Sequence, residues 1–139
     1  MRAVIDTVVF VRALINPAGR WGRLLFHLSD RYTLVLSPEI VKEILDVLHR
    51  SSLRQRFPQI DDVAVNRALA VLEQAEVVTP REPVSVCRDP NDDKFFACAI
   101  AGGAAYIVSE DKDILAVGSY HGVKTVSAAE FMRIIDAKE

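Results

Sequence analysis

The stretch CRDPNDDKFFACAIAGG, residues 87–103, sets Asp89, Asp92 and Asp93 within five positions ahead of a short apolar run. Helix capping accounts for part of this pattern. Acids favour the first turn, where backbone N–H groups are free and the dipole end is positive. The double glycine at 102 and 103 ends the same helix. Capping needs one acid and tolerates a second, so the cluster asks for a further role. Counted from Asp93, the residues three, four and seven positions later are Phe96, Ala97 and Ile100. That stripe predicts that Asp93 turns toward the sheet.

Other acids share its address. Asp6 ends the apolar run RAVI, and Ser109, Asp111 and Asp113 follow the apolar run AAYIV. Glu43 lies three residues after Ile40 and four before Val47, at the edge of a helical apolar stripe. Taken singly, Glu43 reads as a solvated helix residue, and Asp111 and Asp113 as loop acids. Gathered in one cleft, such carboxylates repel and raise one another's pKa. No Lys or Arg stands at positions that would neutralise all of them, whereas a divalent cation would. All-oxygen ligation suits Mg2+ or Mn2+ rather than zinc. Such an ion polarises a phosphoryl oxygen and generates hydroxide, so acids without a histidine base point to phosphodiester hydrolysis.

The elements that must position these residues alternate. RAVIDTVVFV, YTLVLS, EVVTP, AAYIVSED and VKTVS read as five short buried strands. Between the first two, a turn at Asn16-Pro17 leads to Trp21, Leu24, Leu25 and Leu28 at helical spacing, with Trp21 assigned to the core. Ser37 caps and Pro38 opens the helix EIVKEILDVLHR. SSLRQRF and DDVAVNRALAVLEQA, capped by Asp61 or Asp62, form a small helical excursion between strands two and three. Ser127 and Glu130 make a capping box for the last helix. The pattern predicts an α/β fold, a three-layer α/β/α sandwich on a five-stranded parallel sheet, in one domain spanning 1–139. Ligands of such sheets bind beyond the carboxyl ends of the strands, where the acids lie.

Bulk composition narrows the function classes. The chain has 139 residues, half of them hydrophobic, and a formal net charge of −2, so no global basic character announces nucleic acid. No apolar run reaches the roughly 18 residues of a membrane helix. The start, MRAVIDTVVFVRALI, is interrupted by Asp6 and Arg12 and reads as a strand rather than a signal peptide, which places the protein in the cytoplasm. Cys87 and Cys98 fit no metal or redox spacing, and His27, His49 and His121 are scattered.

The combination of LVLSPEIVKEILDVL with RDPNDDKFFACAIAGGAAYIVSEDKDIL resembles the PIN-domain ribonucleases, especially VapC-like toxins of toxin–antitoxin pairs. VIDTVVFVRALINPAG and VKTVSAAEF extend the likeness over nearly the whole chain. The resemblance implies a metal-dependent endoribonuclease using one or two Mg2+ or Mn2+ ions. It makes Asp6, Glu43, Asp93 and Asp111 the catalytic and metal-binding acids, with Thr7, Ser109 and Asp113 in support. Asp92 is then the cap. It further implies a homodimer and a small antitoxin protein that covers the site. RNA would be held by a local patch, for which Arg12, Arg88, Lys94 and Lys112 are the candidates. The family often has Asn two residues after the first aspartate, where this chain has Val8. Loss of a polar group there weakens metal binding by about ten- to a hundredfold. A housekeeping RNA-processing nuclease and a non-catalytic RNA-binding module fit the same residues. A receiver-like regulatory module would need an Asp ending strand three, where the chain reads VVTP.

Overall fold

A computed structural model describes residues 1–138. The strands are β1 (Arg2–Ile5), β2 (Thr33–Leu36), β3 (Glu76–Val77), β4 (Tyr106–Val108), β5 (Ser119–Tyr120) and β6 (Val123–Val126). They form one sheet in the order β3-β2-β1-β4-β6-β5. The first five in that order run parallel, as expected. The sixth, β5, pairs antiparallel with β6 through a tight turn and makes the sheet mixed. His121 and Gly122 in that turn have φ of 48° and 82°. A two-residue edge strand with no apolar pattern carries no periodicity from which it could be read.

The helices are α1 (Thr7–Ile15), α2 (Arg20–Gly22), α3 (Pro38–Leu48), α4 (Ser51–Arg56), α5 (Asp62–Gln74), α6 (Asp93–Gly102), α7 (Lys112–Val117) and α8 (Ala128–Ala137). They flank the sheet as the sandwich requires. α6 packs across β1, β2, β4 and β6, while α1 packs with α2, α3 and α5. Continuous apolar strands explain the layering: Val4, Ile5, Val35, Leu36, Ile107 and Val108 are fully buried, which needs cover on both faces. Among the described residues, no helix is long and apolar enough to cross a membrane.

Local chemistry sets the helix starts. Ser37 Oγ accepts from Ile40 N at 3.3 Å, with Pro38 behind it. Asp61, rather than Asp62, caps α5 by accepting from Ala64 N at 2.9 Å. The segment after Asn16-Pro17 departs from a plain helix: α2 runs on as a π-helical turn over Arg23–His27 and a 3-10 turn over Ser29–Arg31. A Cβ at Gly22 would lie 2.1 Å from the Pro17 carbonyl oxygen, so only glycine admits this tight return.

Candidate active site

Strand register brings the first residues together. Ile5 pairs with Val108, so the next residues, Asp6 and Ser109, leave the sheet side by side. Ser109 Oγ donates to Asp6 Oδ2 at 2.8 Å, and Val8 N donates to Asp6 Oδ1 at 3.1 Å, which makes Asp6 the cap of α1. Asp6 is only 5% exposed. Burial pushes its carboxyl above the usual range against those two hydrogen bonds, and the charges of Glu43 and Asp111 push the same way. Val8 is 48% exposed, so its backbone serves the site while its side chain is apolar surface.

The strand ends supply the rest. Asp111 N donates to Ser109 Oγ at 3.0 Å. Asp111 Oδ1 caps α7 by accepting from Asp113 N at 2.8 Å and Ile114 N at 3.2 Å. Asp113 itself is exposed on the first turn of α7. From α3, Glu43 Oε2 accepts from Thr7 Oγ1 at 2.6 Å. Its other oxygen, Oε1, lies 3.0 Å from Lys94 Nζ.

The neighbouring aspartates of α6 are turned differently from the expectation. Asp93 Oδ1 accepts from Val86 N at 3.1 Å and Cys87 N at 2.8 Å, tying the preceding loop to the helix. Partial burial works against its charge, but the N–H groups of Cys87 and Val86, with the Cys87 thiol, hold the carboxyl below its usual range. Asp92 makes no capping bond. Its carboxyl is pushed up to about 6 by partial burial first, then by Asp111, Asp89 and Asp6, against a smaller opposing pull from Lys94. Asp92 therefore faces the other acids, and Asp93 is a tether. The reason lies in the helix face: the positions three, four and seven after Asp92 are Phe95, Phe96 and Ala99, all buried, whereas Ile100 on the Asp93 stripe is 44% exposed.

Lys94 also departs from expectation. Its ammonium reaches Glu43 Oε1, Asn91 O at 2.7 Å and Asn91 Oδ1 at 3.3 Å, and its side chain is 5% exposed. A cation so enclosed has no donor left for a phosphate. Arg12, Arg88 and Lys112 are exposed, and the Arg12 guanidinium lies 5.1 Å from the centre of the Trp21 ring. Trp21 is half-buried and donates to Glu110 Oε1 at 3.2 Å. That oxygen also accepts from Ala128 N, linking the site loop to the start of α8. No spacing in the sequence signalled the Glu110 link.

The donor set suits a hard divalent cation: Asp6, Asp92 and Asp111 form no ion pair among the described residues, and burial and mutual repulsion raise two of them. Among the described residues, no three His, Cys, Asp or Glu side chains stand close enough to make a ready-made metal shell. The acids stand near enough at the carboxyl edge of the sheet to raise one another's carboxyls without forming such a shell.

Residues 2–113 match the sequence profile of the PIN domain. The chain belongs to the PIN-domain family. An uncharacterized Methanocaldococcus jannaschii protein, MJ1680, is 33% identical over 122 residues, which is 84% of this chain and 75% of that protein. Among solved structures, the PIN domain resembles VapBC2 from Rickettsia felis, bound to a DNA fragment from its promoter. The TM-score is 0.60 at 14% identity, over 91% of this chain and 98% of that one. PAE2754 from Pyrobaculum aerophilum gives a TM-score of 0.58 at 15% identity, over 99% of this chain and 90% of that one. At these identities the two structures share its fold.

Proposed function

We propose that this PIN domain is a metal-dependent endoribonuclease that hydrolyses RNA phosphodiesters as the toxin of a toxin–antitoxin pair. The observation that carries the reading is the set of carboxylates at the carboxyl edge of the sheet, where Asp6 and Asp92 are raised partly by neighbouring acids. Mg2+ or Mn2+ suits these oxygen donors, and Asp6, Asp92 and Asp111 are the residues that would hold it. A bound ion supplies polarisation of the phosphoryl oxygen and an activated water. Ser109 fixes the Asp6 carboxylate, and Thr7 fixes Glu43, so both acids are oriented before substrate arrives. Arg12, Arg88 and Lys112 offer positive charge around the cleft for the RNA backbone. The toxin role, the cytoplasmic setting, the homodimer and the small antitoxin partner rest on likeness to VapC-like proteins, which the fold of VapBC2 supports.

The test is cleavage of mixed RNA substrates in Mn2+, Mg2+ or EDTA, beside an Asp6→Asn variant. The expected result is cutting that EDTA stops and the variant lacks. Equal cutting by the variant would overturn the reading.

A further inference from the structure

Lys94 has a position that neither RNA contact nor the fold alone explains. It is the second residue of α6, and its ammonium lies 5.3 Å from the centre of the Phe95 ring. Its ammonium is nonetheless buried and fully engaged, on Glu43 Oε1 and on both oxygens of Asn91. Asn91 is itself pinned, its N–H donating to Asp89 Oδ1 at 2.9 Å. Glu43 is pinned from the other side by Thr7, the residue after Asp6. Both Glu43 oxygens therefore have partners, while Asp6, Asp92 and Asp111 make no ion pair among the described residues, and Asp92 feels only a weak pull from Lys94.

A buried ammonium that has lost its carboxylate is strongly unfavourable, so the Lys94–Glu43 pair resists being opened. A divalent ion entering the cleft meets three carboxylates free of ion pairs and a fourth already neutralised. On the reading given above, we propose that Lys94 is the fixed cation of the site. It holds Glu43 out of the ion's coordination shell and takes the place that a second divalent ion would fill. Lys94 is thus a positioning residue, acting through Glu43. Glu43 serves to place that positive charge beside the cleft instead of ligating metal directly.

Calorimetric titration with Mn2+ of the metal-free protein tests this independently of RNA cleavage. Wild type is expected to take one ion per chain. Lys94→Gln removes the competing charge and frees Glu43, so it is expected to bind Mn2+ at least fivefold more tightly or to take a second ion. Unchanged or weaker binding by a folded Lys94→Gln protein would overturn the inference, as would two ions in the wild type. Should Lys94→Gln fail to fold, the double variant Glu43→Gln/Lys94→Gln, which leaves neither charge of the pair without its partner, decides. Binding within threefold of wild type is expected, and a loss beyond tenfold would show that Glu43 is a ligand. Wild type that binds no Mn2+ at all would instead defeat the metal-dependent reading itself.

Discussion

The two ends of the same parallel sheet manage charge in opposite ways. At the amino end, Arg2 on β1 donates to Glu76 on β3 at 2.6 Å and to the Gly102 carbonyl at 2.7 Å. Each partner favours the other's charged form: hydrogen bonding to Arg2 lowers the Glu76 carboxyl, and the bond to Glu76 raises the Arg2 guanidinium. At the carboxyl end, Asp6 and Asp92 are pushed the other way, and Lys94 is the one cation paired with an acid of the cleft among the described residues. A sheet that needed only stability would pair charges at both ends. Unpaired like charges kept at one end cost stability, and on the function proposed above they mark the place where a cation would bind.

The largest expected effect separates two adjacent residues. Asp92→Asn removes a carboxylate from the carboxyl edge and, on the proposed function, is expected to cut RNA cleavage in Mn2+ by roughly a hundredfold or more. Asp93→Asn leaves the cleft charge alone, so cleavage stays within about tenfold of wild type. Its cost is in folding, because the N–H groups of Val86 and Cys87 lose a charged acceptor, at about 1–3 kcal/mol. Rate measurements beside thermal melts of both variants check this. The opposite ranking of rates would restore Asp93 as the ligand.

That difference marks where the sequence stopped being readable. The end of β4 was legible because buried strands are unbroken apolar runs, and an acid after such a run has few places to go; Ser109 and Asp111 follow from that alone. The first strand reads on to Val11 in the sequence, but it stops at Ile5 and Thr7–Ile15 is α1, because Asp6 caps that helix and an apolar run such as TVVFV suits a buried helix as well as a strand. Ser37-Pro38 announced the start of α3, and with it the turn that carries Glu43. The inner face of α6 was not legible, because Phe96 is common to both stripes and beyond it the face is built from small residues. Cys98, Ala99 and Gly102 lie against the sheet, and a Cβ at Gly102 would come within 2.5 Å of Val35 Cγ1. Hydrophobicity favoured Ile100, which faces out, over Ala99, which faces in. A one-residue error in a helical stripe turned Asp93 inward and Asp92 outward. Lys94 was illegible for a different reason. A lysine in a charged stretch reads as surface, and only its pairing with a residue of α3, distant in sequence, reveals that it is buried. The antiparallel β5 and the short α7 are too brief for periodicity to register.

A second prediction concerns pH, and it sharpens the contrast between the ends. Asp92 is raised from 3.8 to about 6 in the folded protein. The folded state therefore holds more protons than the unfolded chain between those values, and stability falls as pH rises through that window. The contribution is intact below pH 3.8 and lost above about pH 6. Asp92→Asn removes the loss, so in EDTA at pH 7.5 the variant is expected to be the more stable. The full displacement corresponds to about 3 kcal/mol, which solvent screening of a partly exposed group reduces to about 1. That is a gain of roughly 3–5 °C in melting temperature for a domain of this size. The gain should vanish near pH 4, and Mn2+ should stabilise the wild type more than the variant. A variant no more stable than wild type at pH 7.5 would mean that the cleft acids do not repel one another in solution.

The smallest effect is expected at the opposite end. Glu76→Gln keeps a hydrogen-bond acceptor for Arg2 and removes only the charge of a solvent-exposed pair, which contributes little to stability. Its melting temperature should drop only slightly, by less than the shift of Asp92→Asn, and the drop should shrink further in 0.5 M salt, where the screening length falls to about 4 Å. Its pH dependence has the opposite sign to that of Asp92. The Glu76 carboxyl is lowered in the folded state, so its contribution is present above the ordinary glutamate range and fades as pH falls through the lowered value. RNA cleavage and Mn2+ affinity should match wild type, because the residue lies at the far end of the strands from the cleft. A Glu76→Gln protein with altered Mn2+ affinity would show that the two ends are coupled through the sheet, and that the charge imbalance at the carboxyl edge is not a local property of its acids.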